Sequence, residues 1–195
     1  MRGATLNNSG GDKLGRLFFQ RGAEVVAPEL IGCTLVRTIN SVRYAARIIE
    51  TEAYVGPHDL ASHASKGRTK RTETMFGPPG YAYVYLIYGM YYMLNIVTSQ
   101  EGDPQAALLR GALPLDGWKV DLSGPGKLAR AFGVTLVDRR MDMTGEDFYI
   151  MKRTGSKPRI ISTPRIGVDY AGEWKHAPLR FLDASSSGTL QIKGT

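Results

Sequence analysis

Cysteine is nearly absent: the 195 residues contain one, Cys33. A lone thiol excludes an internal disulfide and any multi-cysteine zinc site, and it fits a reducing, cytosolic compartment. No apolar run is long enough to span a bilayer. Met1 to Asp12 (MRGATLNNSGGD) lacks the apolar core of a signal peptide, so residues 1–12 are expected to form a flexible tail. No internal repeat or linker marks a second domain. One compact domain is therefore expected over 13–183, followed by a peripheral tail over 184–195 that is Ser- and Gly-rich at first. Acidic residues are also in deficit. With 25 Lys and Arg against 18 Asp and Glu, the formal charge of +7 favours a polyanionic partner. Ten tyrosines direct that expectation toward nucleic acid, because tyrosine stacks on bases or wedges between them.

The stretch Ile48-Ile49-Glu50-Thr51-Glu52-Ala53-Tyr54 is the centre of the chain. Tyr44 to Ile49 reads as a strand, β-branched and aromatic with no breaker. Strand alternation places Glu50, Glu52 and Tyr54 on one face, with Ile49, Thr51 and Ala53 on the other. Gly56-Pro57 stops the strand, and a turn or short helix from Asp59 brings in His63. A carboxylate, a phenol and an imidazole thus leave one strand end together; a solvated edge strand is the plain alternative. Lys66, Arg68, Lys70 and Arg71 follow within six residues. Such a run is usually a solvated loop, but beside a cleft it would clamp phosphates through charge.

Along the rest of the chain, helices are expected around Leu14–Gln20 and Val26–Gly32, with Leu14, Leu17 and Phe18 packing inward. Cys33–Arg37 and Tyr44–Glu52 read as antiparallel strands turning at Asn40-Ser41. Tyr81 to Val97 alternates too regularly for a helix and reads as a hairpin reversing at Tyr88-Gly89. An aromatic at a turn is unusual. Exposed, Tyr88 would wedge into a duplex; otherwise it folds back on its own hairpin. A two-residue loop would put Asn95 on the face opposite Tyr83 and Tyr85, whereas a three-residue loop or a bulge would bring it to theirs. Gln105–Arg110 reads as a strand whose arginine needs Glu52 or Glu50 as partner. Gly124-Pro125 opens a short helix carrying Lys127. Further strands are expected around Arg165–Val168 and Leu179–Phe181.

Several of these segments, taken in order, carry a resemblance. They are Glu52-Ala53-Tyr54, His63, Tyr83 to Tyr91 (YVYLIYGMY), Asn95, Leu108-Leu109-Arg110, Gly124-Pro125 and Lys127-Leu128. Arg165-Ile166-Gly167-Val168, Gly172-Glu173-Trp174 and Pro178-Leu179-Arg180-Phe181 complete the set. From about Leu14 to Phe181 the chain resembles the alkyladenine (3-methyladenine, or methylpurine) DNA glycosylases. The resemblance implies a single mixed α+β domain with a curved antiparallel sheet, flanking helices and a protruding hairpin tipped by Tyr88. It also implies excision of alkylated or deaminated purines from double-stranded DNA by a monomer, with no metal, nucleotide cofactor or membrane. By that likeness Glu52 is the general base, with Arg110 and the main-chain carbonyl of Ile166 helping to hold its water. Tyr54, His63 and Tyr85 form the base pocket, Asn95 sits where a guanine amine would clash, and Tyr88 fills the gap in the duplex. Lys66, Arg68, Lys70, Arg71 and Lys127 are candidates for backbone phosphates. Localisation would be cytoplasmic, at the nucleoid, in a prokaryote and nuclear in a eukaryote.

Three rival readings use the same residues. His58, Asp59 and His63 could ligate a metal, but a spacing of five does not align two histidines on one helical face. Glu50 and Glu52, roughly 6.5 Å apart along a strand, approach the separation used by inverting sugar hydrolases. Such enzymes have no need of a tyrosine wedge or of net positive charge. A non-catalytic nucleic-acid-binding module of the same fold would keep Glu52 as a structural acid. A lyase step would need an amine nucleophile, for which only Lys127 presents itself.

Overall fold

The computed structural model describes residues 12–186. Residues 1–11 and 187–195, most of both expected tails, lie outside the described residues. Eight strands form one curled antiparallel sheet. They are β1 (Thr34–Ile39), β2 (Val42–Tyr54), β3 (Ala82–Ile87), β4 (Tyr91–Thr98), β5 (Gln105–Pro114), β6 (Phe148–Met151), β7 (Ile160–Thr163) and β8 (Arg180–Asp183). The main path runs β3-β4-β5-β2-β1-β6. One flank of β2 is shared: β1 pairs with Val42–Arg47 and β8 with Glu50–Glu52, while β7 pairs with β8. Three short helices, α1 (Arg16–Phe19), α2 (Ala23–Glu29) and α3 (Pro125–Ala131), cover one face. The fold is thus a single mixed α+β domain.

Alternation within the strands divides core from site. Ala82 and Val84 of β3, Leu94 and Ile96 of β4, and Ala107 and Leu109 of β5 pack with Phe19, Val26, Leu30, Leu128 and Phe132 from the helical layer. Their neighbours Tyr83, Tyr85, Met93, Asn95, Ala106 and Leu108 therefore face the other way and line a cavity. The β3–β4 register pairs Ile87 with Tyr91 and Tyr83 with Asn95. The loop is thus three residues, Tyr88-Gly89-Met90, and Asn95 shares the face of Tyr83 and Tyr85. At the β1–β2 turn, Asn40 and Ser41 both have positive φ (49° and 63°), the two-residue geometry that matches strand twist.

On β2 the alternation is interrupted. Ala46 and Ile48 belong to the core, and so does Ala53, which a regular strand forbids. The change of parity falls at a register shift against β5 between Ile48 and Thr51. Before this bulge even-numbered residues face the core; after it Thr51 and Ala53 do, and the Thr51 hydroxyl donates to the carbonyl of Ala27 in α2 (2.8 Å). Glu50 and Glu52 are thereby turned off the core face, as bulges do at functional positions. Ile49, expected to accompany Thr51 and Ala53, instead packs with Leu113 and Leu182 in a separate cluster.

Other local expectations need correction. Leu17 is 79% exposed and Phe19 is the fully buried residue, because α1 is a single turn and the helical spacing does not extend across Leu14–Gln20. α2 begins at Ala23 rather than Val26 and ends at Glu29. Arg165–Val168 is a bend rather than a strand, preceded by Pro164, which has no N–H to give a ladder, and containing Gly167 at φ 75°. The strand lies earlier, as β7. Ala184–Ser186 makes a 3-10 turn with Ser186 buried, accepting from Arg47 at 3.3 Å.

Candidate active site

The free face of the sheet, the bend at 165–168 and the loop after β2 enclose a cavity of about 500 Å³, within the range that holds small organic ligands. Tyr54, His63, Tyr85, Asn95, Arg110, Ile166 and Tyr170 are among its walls. Beneath them lies Glu52, fully buried. Three donors converge on it: Oε1 accepts from the Ile166 N–H (2.9 Å) and lies 3.3 Å from Arg110 Nη1, and Oε2 accepts from the Tyr54 hydroxyl (2.9 Å). The sequence-predicted trio Glu52, Arg110 and Ile166 is therefore brought together. The contact Ile166 makes with Glu52 uses its N–H, a role distinct from the carbonyl function the resemblance implied.

Arg110 is fixed from behind. Its Nε donates to Glu50 Oε1 (2.8 Å), and the same oxygen accepts from Arg180 Nε (2.7 Å). Burial lowers the tendency of Arg110 to hold its proton, but Glu52 and Glu50 outweigh that and raise it. Both acids anticipated as its partner serve at once. Arg180 was not anticipated as a second cation.

The aromatic walls are electrically neutral near pH 7. Burial, with the charge of Glu52 second, pushes the Tyr54 phenol well above its ordinary value. Burial and the neighbouring Tyr83 and Glu52 do the same for Tyr85. His63 is lowered to about 4 by burial, helped by Arg71. Its Nδ1 lies 2.9 Å from the Tyr83 hydroxyl, and its ring meets Tyr85 edge-on at 4.5 Å. Tyr83, raised to about 12 chiefly by burial, therefore belongs to the site. The two-residue spacing from Tyr85 was the signal for it. Asn95 is buried with Nδ2 donating to the Tyr83 carbonyl (3.1 Å), so the amide oxygen is the end left for the cavity.

An ion pair with no local signal along the chain supports the loop side. Arg165 and Asp59, both with fully buried side chains, meet through two nitrogens and two oxygens (2.5 and 2.8 Å). Asp59 also accepts from the N–H groups of Val55 and Ala61. That commitment removes Asp59 from any metal set with His58 and His63, and among the described residues no three His, Cys, Asp or Glu side chains gather as ligands. The Arg165 guanidinium lies 4.9 Å from the centre of the Tyr54 ring. Tyr170, also unanticipated, is 69% exposed at the cavity edge and donates to the Ala61 carbonyl.

Tyr88 stands clear of its hairpin, 83% exposed at φ 52°, beside the exposed Met90. Lys66, Arg68, Lys70 and Arg71 are exposed on the segment next to the cavity. Arg68 lies 3.6 Å from Glu73, while Arg71 sits over the Tyr85 ring at 5.3 Å. Lys127 is exposed but bonded to Asp121 at 2.6 Å.

Residues 17–187 match the family model described as Methylpurine-DNA glycosylase. A protein of Legionella pneumophila (strain Lens), provisionally named 3-methyladenine DNA glycosylase, is 49% identical over 170 residues, covering 87% of this chain and 93% of the relative. One from Anaeromyxobacter sp. (strain Fw109-5), provisionally given the same name, is 47% identical over 87% of this chain and 88% of its own. A relative from Methanocella arvoryzae, likewise named, is 44% identical over 89% of this chain and 93% of its own. No helix among the described residues is long and apolar enough to cross a membrane.

Proposed function

The chain belongs to the methylpurine-DNA glycosylase family and is a DNA N-glycosylase acting in repair of alkylated purines, and from that premise we propose that Glu52 performs the hydrolysis on a purine flipped out of duplex DNA. The observation that carries this reading is the buried Glu52 carboxylate, held by Arg110, the Ile166 N–H and the Tyr54 hydroxyl at the base of a tyrosine-walled cavity. Three of its roughly four acceptor positions are filled, and the remaining one is closed to solvent. Since Glu52 has no exposure, water reaches it by displacing a donor. The Tyr54 hydroxyl, the one neutral side-chain donor, yields at least electrostatic cost. The water oxygen bonds to C1′ as its proton passes to Glu52, and the departing purine keeps the electrons of the glycosidic bond. The carboxylate also stabilises positive charge developing on the sugar.

Tyr54, His63 and Tyr85 hold the flipped base. Stacking returns about 1–3 kcal/mol per base, comparable with the few kcal/mol that unstacking requires. Asn95 crowds a guanine amine, Tyr88 fills the vacated stack, and the exposed cations Lys66, Arg68 and Lys70 meet backbone phosphates. Lys127, bonded to Asp121, must exchange that partner to join them.

The test is a set of duplexes each carrying one defined lesion, scored for free base and abasic sites, with wild type and Glu52→Gln. The wild type releases base. The variant binds lesion DNA with a rate lower by about 10²–10⁴, the range of a lost general base. A variant that releases base at the wild-type rate overturns the assignment. A wild type that binds but releases none supports the non-catalytic module instead.

A further inference from the structure

Two tyrosine walls of the cavity, Tyr54 and Tyr85, each have a guanidinium over the ring, and the two guanidinium groups differ in charge balance. Arg165, over Tyr54 at 4.9 Å, is neutralised by Asp59. Arg71, over Tyr85 at 5.3 Å, has no carboxylate within ion-pair distance among the described residues. Tyr85 and Tyr83 line the cavity and Arg71 does not; the guanidinium lies against the Tyr85 ring and hydrogen-bonds Tyr83, so it acts on whatever the cavity holds from behind that wall. A cation on one side of an aromatic ring draws on the same electron density that a cation on the other side would use. The field of Arg71 already reaches the pocket, since it contributes to holding His63 neutral.

We propose that Arg71 sets the charge preference of the base pocket, weighing against purines made cationic by alkylation at N3 or N7 relative to neutral lesions such as hypoxanthine. This rests on the pocket reading above and adds to it a residue that acts through Tyr85 without touching the base. The site can bear such a bias. A cationic purine is already a good leaving group and needs less help from binding, whereas a neutral one depends on its hold in the pocket. A purine stacked on the cavity side of Tyr85 would place the two charges roughly 9–10 Å apart. At effective dielectrics of about 20–80, this corresponds to about a two- to twenty-fold discrimination.

The experiment compares wild type, Arg71→Gln and Arg71→Lys. Affinities are measured for duplexes carrying 7-methylguanine or hypoxanthine on a 2′-fluoro sugar that resists cleavage, each normalised to undamaged duplex. Arg71 is exposed, so neither variant should unfold the domain. Arg71→Gln is expected to raise the 7-methylguanine to hypoxanthine ratio by about two- to twenty-fold, and Arg71→Lys to leave it within two-fold of wild type. An unchanged or lowered ratio in Arg71→Gln overturns the proposal. So does an equal shift in both variants, which would make shape rather than charge decisive. Equal weakening on all duplexes, undamaged included, would make Arg71 a phosphate contact only. Base release from the natural lesions is scored separately. A wild type without release overturns the glycosylase mechanism yet leaves the affinity ratio to decide the role of Arg71.

Discussion

Replacing Asp59 by asparagine removes one charge and reverses the polarity of one hydrogen-bonding atom at a place where nothing else can compensate. All acceptor positions of the carboxylate are in use: Oδ1 takes Ala61 N–H (3.0 Å) and Arg165 Nη2 (2.8 Å), and Oδ2 takes Val55 N–H (3.2 Å) and Arg165 Nη1 (2.5 Å). Whichever oxygen becomes an NH₂ then faces two donors, and Arg165, whose side chain is fully buried, becomes an unpaired cation. Breaking a buried pair from one side costs about 3–5 kcal/mol. For a chain of this length that lowers Tm by about 6–20 °C, from about 2–4 °C per kcal/mol. The damage also reaches the site, because Arg165 precedes Ile166, whose N–H holds Glu52, and lies beside Tyr54. Thermal unfolding followed by circular dichroism, with base release at a temperature where the variant is folded, measures both effects. Arg165→Met should be comparably destabilising, and the double variant Asp59→Asn/Arg165→Met should lose clearly less than the sum of the single changes, since no charge is left stranded. A Tm shift below about 2 °C for Asp59→Asn, or strictly additive losses, would refute the account.

Two other outcomes follow from His63 and Tyr88. His63 has a folded value near 4 against an ordinary 6.5, set first by burial, so the unfolded chain binds the proton more readily between those values. The stability from neutral His63 is fully present above about pH 6.5 and is lost as pH falls toward 4, by up to about 3 kcal/mol. Urea midpoints measured across pH 4–7 for wild type and His63→Asn should differ in slope by that group, and parallel profiles would contradict it. Tyr88→Ser should change stability by less than about 0.5 kcal/mol, as is usual for a surface substitution, because the side chain is 83% exposed. It should nonetheless slow capture of a lesion paired in a duplex more than capture of the same lesion in a single strand, and equal slowing on both would remove the wedge role.

The parts legible in the sequence were those governed by a simple period. Tyr83 and Tyr85 alternate with Val84 so plainly that their shared face could be read directly, and Asn40-Ser41 announced its turn. The position of Asn95 could not be read, because one residue more or less in the Tyr88 loop moves it across the sheet; the register resolves it to the tyrosine face. Arg165 was hidden differently. Its partner Asp59 lies 106 residues away, and no local pattern distinguishes an arginine destined for a buried pair from one in solvent. The strand expected at Arg165–Val168 is absent for a local reason, the missing N–H of Pro164 and the positive φ of Gly167. Arg180 and Tyr170 had likewise no period to reveal them, since each comes from an end or a turn.

The bulge in β2 shows why the cavity-facing side of the sheet is the hardest part to derive. Strand alternation correctly grouped Glu50, Glu52 and Tyr54, but it could not say which face they took, because the core residues before them, Ala46 and Ile48, have the same parity. A regular strand would bury both acids against the helical layer, where α2 offers Thr51 a carbonyl and would offer a carboxylate no cation. The desolvation of two such charges is several kcal/mol per ion, far more than the ladder loses by one irregular step. The sheet therefore slips at Ile48–Thr51, and the same slip aligns β2 with β5 so that Gly111 lies opposite Glu50 and Arg110 reaches both acids. The irregularity that defeats prediction from periodicity is thus the feature by which one strand both closes the core and presents its carboxylates to a cation.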